Sequence, residues 1–324
     1  MKLGIVVVYM VSEKNEGLLD LHLKQIEKHT QIPYTIYGSA NKLLPRLRQR
    51  LERHPRISIY DFPTTDLKGS AEHSYYLEYL VKAAIEDGAS HVVTLHVDSF
   101  PVRSGWAEEL ADKLSDSSVF ATLDSYERIN TACLFFQRDF YLKYHPKLLL
   151  SDSEVSHPEC KKFFRLMNIY KRHSGNGYGF KAYSEGLAWY YLPDSTNYEA
   201  RDAHGRIYDD MIFHLIGAVR IGDNIGAVRN GDKHYVKQSV LTTPHFVLSL
   251  KRVTKMVKQF IPKSMRKILL LLSSPMEPTL DKLINRPKTA HELKHDRAQL
   301  LENPESYFNN LRTTKGDTTQ INYS

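Results

Sequence analysis

Residues 91–106 read HVVTLHVDSFPVRSGW. The first seven, HVVTLHV, form a short apolar run rich in β-branched residues, which predicts a buried strand. Asp98 stands at its carboxyl end, and Trp106 opens a short helix that runs to about Leu114. Working outward, the same alternation repeats. KLGIVVVYMV (2–11), PYTIYG (33–38) and RISIYD (56–61) predict three earlier strands. Helices over 16–29, 42–53 and 70–86 lie between and after them, the last ended by Gly88. VFATLD (119–124) and TACLFFQ (131–137) predict a fifth and a sixth strand. Strands and helices in this order imply right-handed crossovers and a mostly parallel α/β sheet. Ligands of such sheets sit beyond the carboxyl ends of the strands. Asp61, Asp66, Asp98 and Asp124 all fall at or just past those ends.

The chain has 324 residues, 42% apolar and 25% charged. That is the composition of a globular protein, long enough for a sizeable core. Two cysteines, Cys133 and Cys160, cannot form a disulfide framework and suit a reducing compartment. The opening MKLGIVVVYMVSEKNEG turns polar without a small-residue cleavage pattern, so a first buried strand is expected rather than a signal peptide. No apolar run approaches the roughly 18 residues of a spanning helix. The net charge is +7, and residues 251–268, KRVTKMVKQFIPKSMRKI, carry seven basic and no acidic residues. The remainder is close to neutral, which argues against a nucleic-acid footprint. Val253, Met256, Val257 and Phe260 follow a helical period, and ILLLL follows at 268–272. Residues 251–272 therefore suit either an anionic membrane surface or an ordinary solvated helix.

A carboxylate at a strand end, such as Asp98, can hold a divalent ion against a diphosphate; it can equally cap a helix or join a salt bridge. YDDMIFHLIG (208–217) reads as a helix opening with acids. On a helix Asp209 and Asp210 point about 100° apart, so one could face a cleft as a general base while the other caps. The helix dipole alone would also favour acids there. His96, His204, His214, His234 and His245 lack tight ligand spacing, and no HExxH occurs. His245, after the strand-like sequence SVLTTPHFV, is the best single metal-ligand candidate, and His96 alternates with Asp98 along one strand face. For the other histidines a core or surface role is expected. HSGNGYGF (173–180) carries three glycines and reads as a flexible loop. Neither a dinucleotide fingerprint, a P-loop nor a GxSxG is present, and Cys133 reads as core.

Taken in order, VVVYMVSEKNEG, residues 65–99, FFQRDFY (135–141) and YDDMIFHLIG resemble a GT-A type nucleotide-sugar glycosyltransferase, most like the family 2 group, over roughly residues 1–250. The resemblance implies a GT-A-like α/β fold, a nucleotide-diphosphate sugar donor, Mn2+ or Mg2+, and a glycan or lipid-linked glycan as acceptor. It makes Asp98 the metal-binding acid that ends a DxD motif, with His96 in place of the first acid. It puts Asp61 or Asp66 near the nucleoside, makes His245 a late metal ligand, and gives Asp210, with Asp209 close behind, the role of base in an inverting transfer. An imidazole offsets less of the ion's charge than the missing carboxylate would, which keeps a non-catalytic nucleotide-sugar-binding protein in view. A sugar-phosphate nucleotidyltransferase is the other alternative. The expected organisation is a catalytic domain over 1–250, a basic extension over 251–300 and a polar, frayed tail over 301–324. The expected location is cytoplasmic, with peripheral attachment to the inner face of a membrane if 251–272 binds lipid.

Overall fold

The computed structural model describes residues 1–116, 118–125, 129–197, 204–216 and 290–312. The chain divides into two compact units, residues 1–223 with 293–324, and residues 224–292. Both β-sheets among the described residues belong to the first unit.

The alternating first half folds as its pattern requires. β1 (Leu3–Val8), α1 (Glu16–His29), β2 (Tyr34–Ser39), α2 (Pro45–Glu52), β3 (Ile57–Tyr60), α3 (Ser70–Glu86) and β4 (His91–Leu95) follow one another. A short β5 (Ser99–Pro101), α4 (Trp106–Asp116), β6 (Ser118–Leu123) and β7 (Cys133–Gln137) come next. The main sheet has seven strands in the order β3-β2-β1-β4-β7-β6-β8, where β8 is Ala188–Leu192. β7 runs antiparallel to both its neighbours and the other pairings are parallel. This is a mixed, mostly parallel, GT-A-like sheet flanked by helices.

All six residues of β1 are buried. Leu3, Ile5 and Val7 pack on one face with α1, α4 and a second sheet, while Val6 and Val8 pack on the other against Leu77, Leu80 and Val81 of α3. A strand covered on both faces has no polar side to alternate with, so its sequence is a continuous apolar run.

The second half departs from the sequence reading in three places. The glycine run is a helix, α8 (Asn176–Ser184), rather than a flexible loop; it follows α5 (Arg138–Tyr144), α6 (Asp152–Ser156) and α7 (Pro158–Leu166). Its glycines serve close packing. A Cβ on Gly177 would fall inside the Lys147 carbonyl oxygen, and one on Gly179 would lie 2.7 Å from the Ile129 side chain. Residues 205–215 are a hairpin rather than a helix, with β9 (Gly205–Tyr208) and β10 (Ile212–Leu215). Asp209 and Asp210 occupy its turn with φ of 52° and 53°, and Met211 N–H donates to the Tyr208 carbonyl at 3.0 Å. Aspartate tolerates that left-handed geometry better than most residues, and such turns match strand twist. Finally, the end of the expected basic extension and residues 301–312 of the expected frayed tail are structured: α9 (Ala290–Glu302) and α10 (Pro304–Leu311) bring Leu300, Tyr307, Phe308 and Leu311 into the core. Phe308 packs on Phe100 and Phe213 of the second sheet, whose order is β5-β10-β9.

Candidate metal centre

β1 is followed in the chain by its neighbour β2 on one side, and the path later crosses to β4 on the other. The carboxyl edge between β1 and β4 is therefore the sheet's topological switch point, where α/β sheets bind ligands. The strand ends at Leu95, and a turn at residues 96–99 delivers His96 and Asp98 to that edge. Ser99 N–H donates to the His96 carbonyl at 3.0 Å, and Ser99 Oγ accepts from His96 N–H at 2.8 Å. Ser99 Oγ also donates to the Ala132 carbonyl at 2.5 Å, which pins the turn to the segment before β7. His22, from α1, donates Nδ1–H to the Ser99 carbonyl at 3.1 Å. Burial lowers the pKa of His22 to about 4, so it is neutral and purely supporting.

The chain then forms β5, and β5 pairs with β10 so that Ser99 stands opposite His214. Leu215 N–H donates to the Asp98 carbonyl at 2.8 Å. This pairing closes the site. His96 Nδ1 and His214 Nε2 each lie 3.9 Å from Asp98 Oδ1, and the three ligand atoms all fall within 4.8 Å of one another. Asp98 and His214 are buried, and His96 is partly open to solvent. His96 Nε2 meets Thr131 Oγ1 at 3.2 Å, which leaves Nδ1 toward Asp98. A partner on the second ring nitrogen is the usual way a ligating histidine is oriented. Ligands at roughly 2.1 Å from an ion would sit about 3.0–3.4 Å apart, so slight contraction of this cluster accommodates one. The two imidazoles and one carboxylate form a cluster able to coordinate a divalent metal ion.

Around it, the His73 ring stands edge-on to His96 at 5.0 Å, and burial lowers its pKa to about 4. Ser174, just before α8, donates to the Ser70 carbonyl at 3.1 Å and accepts from Ser74 at 2.8 Å. The segment before α8 thereby rests on the first turns of α3 beside the histidines.

The expected site residues distribute unevenly. His96 and Asp98 come together, and His214, expected to be core or surface, completes the cluster. The signal for His214 was the pattern RIY-DD-M-IFHL, two short β-rich runs around a two-acid turn, which reads as a hairpin once the helical period is abandoned. Asp209 and Asp210 are not brought to the metal cluster. They sit at the opposite end of β10, Asp210 four residues, about 13 Å of strand, from His214 and Asp209 one residue further. Asp209 is engaged there by Tyr190 OH at 2.8 Å and Lys113 Nζ at 3.5 Å. Asp61 is exposed and holds Arg48 through two contacts of 2.8 and 2.5 Å, and Asp66 lies in the loop after β3. Both stay on the carboxyl edge, with β3 three strand spacings, about 14 Å, from β4. His245, and the basic segment 251–272, lie outside the described residues. Cys133 is buried in β7 with the pKa of its thiol pushed up to about 12, as a core residue should be. No helix among the described residues is long and apolar enough to cross a membrane.

No family model and no curated protein matches the chain. Solved structures do align with parts of it. One is the mannosyltransferase PcManGT from Pyrobaculum calidifontis in complex with GDP-Man and Mn2+, over 44% of this chain and 46% of that one, at 13% identity and a TM-score of 0.33. Another is TarS from S. aureus, over 48% and 53%, at 9% identity and a TM-score of 0.35. A third is mouse xyloside xylosyltransferase 1, over 59% and 85%, at 8% identity and a TM-score of 0.39. The chain spans about half the length of the first two. Likenesses this remote carry no chemistry across to this chain. What its own residues define is a GT-A-like fold with a His96/Asp98/His214 cluster at the switch point that could hold a metal ion.

Proposed function

We propose that this chain is a metal-dependent glycosyltransferase that moves a sugar from a nucleotide-diphosphate donor to a hydroxyl acceptor on a glycan or lipid-linked glycan. One observation carries the reading: a buried carboxylate and two imidazoles converge at the carboxyl edge where the strand order reverses. His96, Asp98 and His214 would hold Mn2+ or Mg2+, whose charge, when bound, stabilises a departing diphosphate. Asp98 supplies the negative charge of the ligand set, and Thr131 keeps the His96 ring in its ligating orientation. The donor's nucleoside would lie along the carboxyl edge toward β2 and β3, where Asp61 and Asp66 stand.

The base must come within hydrogen-bonding reach of the acceptor hydroxyl. Asp210, with Asp209 close behind, is one candidate, since Asp209 N–H holds the hairpin turn to the Pro193 carbonyl just past the carboxyl end of β8. Asp124, at the carboxyl end of β6 on the same edge, two strand spacings or about 10 Å from β4, is the other. His96 in place of an acid also favours a second reading, a nucleotide-sugar-binding protein without transfer activity. Incubating a panel of nucleotide-diphosphate sugars with and without Mn2+ separates the two. Metal-dependent release of nucleoside diphosphate, lost in Asp98→Asn and in Asp210→Asn or Asp124→Asn, supports the enzyme. Donor binding with no release at any metal concentration supports the binding protein. Absence of both binding and release removes the two together.

A further inference from the structure

The sequence from Cys160 to Ser184 contains no acidic residue, and residues 161–172 contain five basic ones. Four of them, Lys161, Lys162, Arg165 and Lys171, are exposed on α7 or just after it, while Arg172 is tied to Asp152 at 2.6 Å. Phe163 and Cys160 face the core, which leaves Lys161, Lys162, Arg165 and Leu166 on the outside. The helix then stops abruptly. Asn168 takes a φ of 52°, its N–H donates to the Arg165 carbonyl at 3.3 Å, and Ile169 N–H reaches back to the Phe164 carbonyl at 2.8 Å. This pair of bonds is the Schellman closure. It turns Ile169 inward and sends Tyr170 and Lys171 outward. Leu166 and Tyr170 are 62% and 84% exposed, the two most exposed large hydrophobic residues among those described.

We infer that the end of α7 is a membrane-contact surface that docks on an anionic lipid bilayer. Two outward apolar side chains, with exposed Lys161, Lys162, Arg165 and Lys171 beside them in the sequence, match the two layers of such a surface. Leucine and the tyrosine ring enter the acyl boundary, while lysine and arginine stay at headgroup level. Only Lys162 among these four has an ion-pair partner among the described residues, a long 4.0 Å contact with Glu159. An acidic soluble partner would satisfy the charges but not the apolar tip. The surface also has a place relative to the candidate site. Four residues after Tyr170, Ser174 rests on Ser70 and Ser74 of α3, next to His73 and His96. The inference does not rest on the transferase reading, since it concerns a surface outside the cluster.

The test is co-sedimentation of the full chain with phosphatidylcholine vesicles, with and without phosphatidylglycerol. The expected result is binding only when phosphatidylglycerol is present. Both Leu166→Ser/Tyr170→Ser and Lys161→Glu/Arg165→Glu should lower the partition coefficient by about tenfold or more. All these side chains are exposed, so the melting temperature should hold, and a melt checks it. A Tyr170→Trp protein should move its emission to shorter wavelength with the anionic vesicles alone. Absence of vesicle binding by the wild type overturns the inference. So does wild-type partition by both double variants, which would put membrane binding elsewhere in the chain. Binding to a soluble polyanion as tight as to the vesicles, with no emission shift, overturns it in favour of an acidic macromolecule.

Discussion

Replacing Gly177 by alanine sets two expectations of opposite sign against each other. In a helix interior, alanine is favoured over glycine by about 1 kcal/mol. If the 173–180 run were merely flexible, the substitution would stabilise the protein. The structure predicts the reverse. The new Cβ would overlap the Lys147 carbonyl oxygen and lie 3.0 Å from its carbon, and both are backbone atoms with no rotamer to yield. Relief requires moving residues 147–148 away from α8. That stretches the bonds from Gly175 N–H and Gly177 N–H to the Leu148 carbonyl, 2.7 and 3.4 Å long. Overpacking of this kind costs about 1–3 kcal/mol, and each strained hydrogen bond adds about 1. Set against the propensity gain, the net loss is about 2–4 kcal/mol. Urea unfolding of wild type and Gly177→Ala, compared at constant m-value, reads it directly. Equal or greater stability in the variant would refute the close-packing account of α8.

Two further predictions concern the same unit. Glu78 accepts a hydrogen bond from Leu148 N–H, and burial raises its pKa from the ordinary 4.5 to about 7. The folded state then holds a proton that the unfolded state has released, so stability falls as pH rises from about 4.5 through 7. For this group the fall is about 3 kcal/mol at most. Glu78→Gln should flatten that slope, and an unchanged pH profile would remove the assignment. Asp209→Ala should cost about 1–2 kcal/mol, from the left-handed backbone and the lost Lys113 and Tyr190 contacts, while metal affinity stays at the wild-type value. A drop in metal affinity measured by titration would place Asp209 in the site after all.

The parts of the fold legible in the sequence were those whose period is enforced by burial. β1 and β4 are covered on both faces, so their apolar runs have one reading, and α3 spans Ser70–Glu86 as its spacing predicts. The hairpin was not legible as one because IFHL and RIY are each only a few residues long. At that length the acids between them fit a helix's first turn as well as a β-turn, and tertiary pairing with β5 decides. The helical glycines misled for a related reason. Glycine marks flexibility locally, but here it marks the approach of another backbone, which only the fold reveals. Half of the site was legible through the same contrast. His96 and Asp98 share one turn and could be paired by position, whereas His214 is 116 residues further along the chain than Asp98 and reaches it only through a β-ladder.

In this account His96, Asp98 and His214 hold one metal ion together. Titrating the full chain with Co2+ and following its visible absorption tests it most directly, because the band positions report imidazole and carboxylate ligation without requiring a substrate. Wild type should bind one ion at this cluster. His214→Gln and Asp98→Asn should each weaken that binding by about tenfold or more and alter the spectrum while the thermal melt of the apoprotein persists. An unchanged isotherm and spectrum in His214→Gln would contradict the assignment.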